Sequence, residues 1–358
     1  MRRGLRRAGA MFRQAEIFVR NQFRHGVLGS DYLRPVYAIY ELTWACNLDC
    51  TYCDDGAGHS YPHVARQVRP LPLDDAKRML ERVRREVPAI YVTGGEPTVH
   101  PHFLELMAAI DQLGFAPVIA NTNGLKLASL LGRDPELFRK IDILVFSLDA
   151  LDPAVLDRVS GRAGRGPQIL AAFELTREQA ARAGTKLAVN CVITRETVED
   201  ARAVARRCRE LGLPFMPVPA NRGKGLLAPL ADDAGFRSLA DELRGPGAPG
   251  SLGPPEVNAI VMGLGRFECH PAARVHITPD GRLPWPCQSD ARFALPILEF
   301  PSLRALLEAS EARFSIERQG QACGSPCYLA QNVSTDLYVN HPFATAARTA
   351  RDMWWGPW

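Results

Sequence analysis

The residues best suited to chemistry are three cysteines near the start of the chain. Cys46, Cys50 and Cys53 form a C-x3-C-x2-C run within the segment ELTWACNLDCTYC. A closed structural zinc site usually has four Cys or His ligands, whereas three thiolates leave one iron of a 4Fe-4S cluster open. A zinc site that borrows His59 or His63 as fourth ligand is the alternative. The spacing therefore predicts a metal centre built on these three thiols.

A second set of cysteines lies near the other end of the chain. Cys269 and Cys287 are followed by the C-x3-C pair of Cys323 and Cys327. Four thiols in this order predict a second metal site, for which a structural zinc is an alternative and His270 a further ligand. The other two of the nine cysteines, Cys191 and Cys208, lie among aliphatic residues and are expected to be inert packing.

Strands and helices that alternate along the chain must position these thiols. Strands are predicted at 36–43, 89–93, 116–121, 141–148, 186–193 and 215–218, with amphipathic helices between them. Six such strands imply a parallel α/β sheet, and right-handed crossovers curl it into a partial barrel. The chemistry of such a fold collects on loops that follow the strands.

Polar and glycine residues follow several of these strands. Gly94, Gly95, Glu96 and Pro97 end the second strand, and two glycines there allow a ligand to approach the backbone closely. The alternative for the glycine pair is an ordinary tight turn. The alternative for the polar residues after the fourth strand is a turn and the N-cap of the next helix. The candidates after the later strands are Asn123, Ser147, Asp149 and Asn190.

The cysteine run, with Tyr52 before its third cysteine and GGEP about forty residues later, resembles the radical S-adenosylmethionine (SAM) superfamily over residues 36 to about 220. The resemblance implies a (βα)6 TIM-like partial barrel and a 4Fe-4S cluster whose open iron binds SAM. It implies reductive cleavage of SAM to a 5′-deoxyadenosyl radical, which abstracts a hydrogen from the substrate. A flavodoxin or ferredoxin would donate the electron.

The same resemblance implies roles for single residues. GGEP would contact the methionine amino group, and Tyr52 and Val192 would flank the adenine. Ser147, Asp149 and Asn190 would reach the ribose or the carboxylate, and Asn123 lies in the TNG turn beside them. A catalytic base is not identified: Glu41, Asp54, Asp55 and Asn221 are candidates by position only.

The later cysteines resemble the twitch subdomain, the short form of the SPASM extension, which carries an auxiliary 4Fe-4S cluster. We expect an N-terminal basic amphipathic helix (1–35), the barrel (36–244), a linker rich in Pro and Gly (245–256), the twitch-like subdomain (257–341) and a tail (342–358). The C-x3-C pair departs from the commoner C-x2-C spacing.

The substrate is expected to be a small metabolite or a lipid-like molecule. A peptide-modifying enzyme is an alternative, although the 35 residues before the first strand are too few for a leader-binding winged-helix domain. The other alternative is a non-enzymatic iron-sulfur or zinc scaffold, which would leave GGEP, Ser147 and Asn190 without a role.

Charge and hydropathy limit the partners and the compartment. A net charge of +4 over 358 residues gives no case for nucleic acid. Clustered cysteines without a signal peptide predict a cytoplasmic protein, and no apolar run approaches the ~20 residues of a membrane span. The first 25 residues combine arginines with Phe12, Ile17 and Phe23, and would cover the bottom of the barrel or contact a membrane surface.

Overall fold

A computed structural model describes residues 2–54, 61–222, 225–226, 230, 232–245, 247–252, 255–263, 265–289, 291–316 and 330–341. Its strands are β1 Tyr37–Glu41, β2 Ala89–Thr93, β3 Val118–Thr122, β4 Ile143–Ser147, β5 Lys186–Ile193, β6 Phe215–Pro219, β7 Asn221–Arg222, β8 Gly225–Leu226, β9 Arg274–Ile277, β10 Arg282–Trp285 and β11 Phe293–Pro296. Its α-helices are α1 Arg2–Gly26, α2 Tyr61–Val64, α3 Leu73–Glu86, α4 Phe103–Leu113, α5 Leu127–Arg133, α6 Pro153–Val159, α7 Gly166–Ala183, α8 Val198–Leu211, α9 Ala234–Arg244, α10 Pro255–Gly263, α11 Leu303–Arg313 and α12 Ala330–Asn340.

A seven-stranded parallel sheet, curled into a half-barrel, forms the centre of the molecule. Its strands run in the order β6-β5-β4-β3-β2-β1-β9, so the first six follow the chain without interruption. All six predicted strands form, and the predicted α/β partial barrel is confirmed. Because the strands are parallel, the loops that follow them meet at one end of the sheet.

The seventh strand corrects the prediction for the later part of the chain. In the sequence, the apolar segments 274–278 and 282–285 on either side of Pro279-Asp280-Gly281 predict a hairpin. Instead, β9 pairs in parallel with β1, with Tyr37 opposite Arg274, and β10 pairs with β11. Only the turn forms, since the Thr278 N–H donates to the Arg282 carbonyl (3.0 Å). All four β9 residues are buried, which suits a strand inside the sheet.

The two faces of the sheet differ in their surroundings. Ala38, Tyr40 and Leu42 of the first strand and the segment after it belong to the core that packs against the helices, whereas Ile39 and Glu41 alternate to the inner face. The same alternation holds in β5, where Cys191 is buried in that core together with Cys208. Both cysteines are therefore packing residues, as predicted.

The free edge of the sheet at β6 is partly covered. Pro217 and Pro219 predicted this edge position, and β6 is indeed the last strand. The Phe215 N–H donates to the Gly250 carbonyl (2.8 Å), and the Asn258 side chain donates to the Phe215 carbonyl (2.9 Å). Part of the segment rich in Pro and Gly thus covers the edge, which would otherwise expose unpaired backbone groups.

The N-terminal helix α1 forms as predicted and packs against α4 and α12. Asn21 is fully buried: its side chain donates to the Arg34 carbonyl and accepts from the Arg34 N–H, both at 2.8 Å. Gln22 donates to the backbone of α12. The opposite side of the helix is open, with Phe12, Val19 and Phe23 exposed.

Helix α12 lies near the N-terminal ends of two strands. The Tyr37 hydroxyl at the start of β1 donates to the Gln331 carbonyl (3.3 Å), and Arg274 at the start of β9 hydrogen-bonds Asn332. The described helices include no segment with the length and apolar character of a membrane span. The predicted tail, residues 342–358, lies outside the described part of the chain.

Candidate functional site

The three cysteines Cys46, Cys50 and Cys53 lie on the loop that follows β1, as predicted. All three are half-buried and none is in a disulfide. The loop folds back on itself: the Leu48 N–H donates to the Cys46 sulfur (3.4 Å), and the Cys53 N–H donates to the Cys50 carbonyl (3.2 Å). A short stretch of chain therefore presents three thiols at the end of the barrel where the loops that follow the strands meet.

The surroundings of these thiols disfavour free thiolates. Burial raises the pKa of Cys46 to about 11. Burial and the charges of Asp149 and Cys46 raise the pKa of Cys50 to about 12. The pKa of Cys53 is raised well above its usual value by burial and then by the charges of Cys50 and Cys46. Thiols in such surroundings stay protonated unless a bound metal supplies the positive charge that favours their ionised form.

The spacing of the thiols fits a centre larger than one zinc ion. A tetrahedral zinc with bonds near 2.3 Å holds its sulfurs roughly 3.8 Å apart. Among the described residues, these three sulfurs do not form a group whose atoms all lie within 4.8 Å, and neither do they with His63. His59 lies outside the described residues. The donor set therefore fits a 4Fe-4S cluster with one open iron better than a zinc knuckle.

The glycines of the GGEP segment hold the cysteine loop by main-chain contacts. The Gly95 N–H donates to the Thr43 carbonyl (2.8 Å), and the Glu96 N–H donates to the Ala45 carbonyl (2.9 Å). Gly94 has a φ of +139°, and a Cβ there would lie 2.2 Å from the Thr43 oxygen. No side chain fits at this position, so the glycine pair is required by the close approach of the two loops.

The Glu96 carboxylate is occupied by the protein itself. It accepts hydrogen bonds from the Thr98 N–H (3.1 Å), the Thr122 hydroxyl (2.8 Å) and the Asn123 N–H (2.7 Å). Burial raises the pKa of Glu96, and these bonds oppose the shift. Asn123 in turn donates through its side chain to Asn47 of the cysteine loop (2.8 Å). Glu96 thus fixes the turn after β3 against that loop.

Asp149 links the cysteine loop to the end of β5. The Tyr52 hydroxyl donates to one carboxylate oxygen (2.5 Å), and the Val192 N–H donates to the other (2.7 Å). Burial raises the pKa of Asp149 to about 6, against the lowering effect of both hydrogen bonds. The alternative role as a helix cap is wrong, because Asp152 caps α6. Tyr52, Asp149 and Val192 are therefore brought together.

Ser147 and Asn190 are partners across the β4–β5 ladder. The Ser147 hydroxyl also lies 3.5 Å from the side-chain oxygen of Asn121 on the next strand. Asn121 was missed from the sequence, although it is the polar position just before the TNG turn. The inner face thus carries three adjacent polar side chains near the strand ends.

A second main-chain attachment of the cysteine loop was also missed. The Asp49 N–H donates to the Ser160 carbonyl (2.9 Å), and the Thr51 N–H donates to the Val159 carbonyl (3.1 Å). Gly161 has a φ of +65°, and a Cβ there would lie 2.2 Å from the Asp49 oxygen. A glycine directly after α6 was the available signal, but nothing in the sequence pairs it with residue 49.

A buried acid-base pair lies between β1 and β9. Glu41 and His276 are both nearly inaccessible, with Glu41 Oε2 3.4 Å from His276 Nε2. The Trp44 indole donates to Glu41 (2.6 Å), and so does the Gln288 side chain (3.1 Å). Burial raises the pKa of Glu41, but His276 and these hydrogen bonds outweigh it, so the net shift is downward.

Glu41 is a candidate from its position in the sequence, whereas His276 was missed because its strand was expected to pair in a hairpin and not beside β1. Of the other positional candidates, Asp54 is half-buried beside the cysteine loop. Asp55 lies outside the described residues, as does the side chain of Asn221.

The predicted second metal site is described only in part. Cys269 is exposed and Cys287 is half-buried, and neither is in a disulfide. Cys323 and Cys327 lie outside the described residues. The His270 ring, which had been considered as a ligand beside these cysteines, instead lies against His25 and Asp31.

Comparison with known proteins agrees with this geometry. Residues 40–208 match the model of the radical SAM superfamily. The chain is 27% identical over 271 residues to mycofactocin maturase MftC of Mycolicibacterium smegmatis, covering 68% of this chain and 64% of that protein. It is 27% identical over 199 residues to the AdoMet-dependent heme synthase of Methanosarcina barkeri, covering 53% and 52%. The chain thus spans about half to two thirds of these relatives.

Two solved structures share the fold. Streptococcus suis SuiB bound to S-adenosylmethionine aligns with a TM-score of 0.54 at 18% identity, covering 82% of this chain and 67% of that chain. The enzyme anSMEcpe with bound AdoMet and the Kp18Cys peptide aligns with a TM-score of 0.54 at 17% identity, covering 79% and 83%. At these identities the likeness concerns the fold alone.

The Asp49–Gly161 attachment gives a test of the site. Gly161→Ala should lower the iron bound after anaerobic reconstitution severalfold, because the new Cβ displaces the cysteine loop. The control is Gly184→Ala, where φ is also positive (+72°) but nothing lies within 4 Å of the new Cβ. Iron analysis and thermal melts of both variants provide the measurement. Equal iron in the two variants would mean that this attachment does not position the cysteines.

Proposed function

This chain carries a radical SAM domain and belongs to that superfamily of enzymes, and from this premise we propose that it cleaves SAM reductively at a 4Fe-4S cluster on Cys46, Cys50 and Cys53. Such a cluster, when bound, supplies the electron for a cleavage that yields a 5′-deoxyadenosyl radical able to abstract a substrate hydrogen. The observation that carries the proposal is the grouping of three half-buried thiols on one loop, which main-chain hydrogen bonds attach to the GGEP segment and to the end of α6.

The loops around the thiols would hold SAM. We propose that backbone groups of Gly94–Pro97 meet its amino group, because the Glu96 carboxylate is already occupied. Tyr52 and Val192, which both donate to Asp149, are proposed to flank the adenine. Ser147 and Asn190 are proposed to reach the ribose or the carboxylate, whereas Asp149 and Asn123 already have hydrogen-bond partners within the protein.

The substrate would lie in the barrel beside the Glu41–His276 pair. Ile39 and Val145 give the inner face apolar positions, and Glu41 and His276 are the buried ionisable groups between β1 and β9. A buried carboxylate and imidazole in contact can hold a polar group of the substrate or exchange a proton with it. The same burial keeps water from a reactive radical.

We propose a small organic molecule as the substrate class. The Gln288 side chain, from the segment after β10, donates to Glu41 on the inner face of the sheet, and this contact favours a compact molecule over an extended chain. Two of the relatives are named for reactions on small molecules. They are the heme synthase and a GTP 3′,8-cyclase of a Mycobacterium species, which is 29% identical over 304 residues. The expected electron donor is a flavodoxin or a ferredoxin.

A peptide is the second candidate. The maturase relative and the peptide-bound structures of SuiB and anSMEcpe favour it, since they share the fold of this chain. The two candidates separate by mass spectrometry of molecules that co-purify with the anaerobic protein.

The cysteine triad is tested directly. Anaerobically reconstituted and reduced protein should release 5′-deoxyadenosine from SAM, and replacing Cys46, Cys50 and Cys53 together by Ala should abolish it. Cys208→Ala is the matched control, because this thiol is buried in the core. Chromatography of the nucleoside products is the measurement. Tight zinc and no cleavage by the wild type under dithionite would instead favour a scaffold protein.

The second cluster is tested by iron content. Two cysteine sets imply about eight irons per chain, so the triad variant should keep about half of them. Replacing Cys269 and Cys287 together by Ala should remove the other half. Iron that stays unchanged in the Cys269/Cys287 variant would exclude an auxiliary cluster on these ligands and make zinc the better assignment.

The open side of α1 is proposed to contact a membrane surface. The large apolar side chains that are exposed in the described part of the chain all lie on α1 or just after it: Phe12, Val19, Phe23, Val27 and Leu28. Arg20 on the same helix is more than half exposed. Aromatic and aliphatic groups beside arginines suit the interface of an anionic bilayer, where each arginine contributes about 1 kcal/mol.

Flotation with liposomes tests this contact. The full chain should float with vesicles that contain anionic lipid, and a Phe12→Ser, Val19→Ser, Phe23→Ser variant should not. These side chains are exposed, so the variant should keep its melting temperature. Equal failure of both proteins to float would leave α1 as a purely structural helix.

A further inference from the structure

Two histidines and an aspartate meet far from the cysteine loop. His25 ends α1, Asp31 lies on the segment between α1 and β1, and His270 precedes β9. One ligand atom from each residue lies within 4.8 Å of the other two, and no other group of this kind exists among the described residues. The two rings are 5.1 Å apart between centroids and nearly perpendicular. Three separate segments of the chain thus bring metal-binding atoms close together.

The distances suit a single small cation. His25 Nδ1 lies 3.3 Å from Asp31 Oδ1, and His270 Nδ1 lies 3.8 Å from the same oxygen. A tetrahedral ion with bonds of 2.0–2.2 Å spaces its ligand atoms roughly 3.3–3.6 Å apart. The His25–Asp31 pair has this spacing, the His270–Asp31 pair exceeds it by a few tenths of an ångström, and the two histidine donors lie within 4.8 Å of each other. A shift of one side chain would complete three positions and leave a fourth for water.

The surroundings of His25 leave its inner nitrogen available. Its Nε2 lies 3.2 Å from Asn340 Oδ1, which can only accept, so Nε2 carries the hydrogen. Its Nδ1 is buried and has no hydrogen-bond partner in the described part of the chain. This nitrogen faces the Asp31 carboxylate oxygen at 3.3 Å, and a cation bound to both atoms would satisfy them together. An outer oxygen that orients a metal-bound imidazole in this way is a common feature of metal sites.

We propose that His25, Asp31 and His270 bind one divalent transition-metal ion of the zinc class. Two imidazoles and one carboxylate suit such ions and not calcium or magnesium, which prefer oxygen ligands. Asp31 and His270 precede β1 and β9, so the site lies at the N-terminal end of the barrel. Residues at this end of such folds stabilise the barrel and do not form its active site. The ion would brace α1 against the segment that leads into β9.

Cobalt(II) is the probe for this site, because its spectrum separates thiolate ligands from nitrogen and oxygen ligands. The apo full chain should gain ligand-field bands on titration with CoCl2, and ZnCl2 should displace them. His25→Asn and Asp31→Asn should weaken this binding at least about tenfold, as the loss of a ligand does. The thiolate-to-cobalt charge-transfer band from the unchanged cysteines should stay the same in every variant.

Melting temperature and a matched histidine provide the controls. Zinc should raise the melting temperature of the wild type more than that of either variant, because an ion that binds only the folded chain stabilises it. His102→Asn is the control, since His102 also lies 3.3 Å from a carboxylate, Glu105, but lacks a third ligand. If Asp31→Asn, whose side chain is partly exposed, binds cobalt with wild-type spectra and affinity, the cluster is only an ion pair and the proposal is wrong.

Discussion

The structure depends on main-chain hydrogen bonds that fix the cysteine loop on both of its flanks. Before Cys46, the loop is paired with Gly95 and Glu96; after it, Asp49 is paired with Ser160. Both attachments bring backbones so close that Gly94 and Gly161 cannot be replaced without a clash. On a free loop the three thiols would have no fixed positions relative to one another. Fixing their backbone in advance removes the ordering cost from cluster binding.

Buried charge at this end of the barrel follows one rule: each carboxylate is compensated by groups that also join loops. Glu96 joins the turn after β3 to the GGEP segment, and Asp149 joins Tyr52 to the end of β5. Glu41 has a histidine as partner, together with donors from Trp44 and Gln288. Unpaired, any of these groups would destabilise the fold by several kcal/mol. Because each of these carboxylates has its partners within the protein, the site is rigid before any ligand binds.

Local patterns predicted the features that lie within one segment of chain. The cysteine spacing, the strand before it, the alternation in β5 and the glycines at the end of β2 all needed only neighbouring residues. The missed features need pairings across long stretches of chain. Tyr37 pairs with Arg274, and the hydrophobic periodicity of neither segment predicts that the two segments pair. Because the pairing of β9 with β1 was missed, so was the contact of His276 with Glu41. Because the contact of Asp49 with Gly161 was missed, so was the second attachment of the loop.

In the proposed function, the pairing of β1 with β9 would separate the part of the barrel that binds SAM from the groups that meet the substrate. The superfamily match, residues 40–208, contains the three thiols, GGEP and the polar ends of β3 to β5. His276 and Gln288 lie outside it, yet they contact Glu41 because β9 completes the sheet beside β1. The partners of this buried carboxylate are thus set by segments beyond the matched part, so substitutions there can change this end of the inner face and leave the cysteine loop intact.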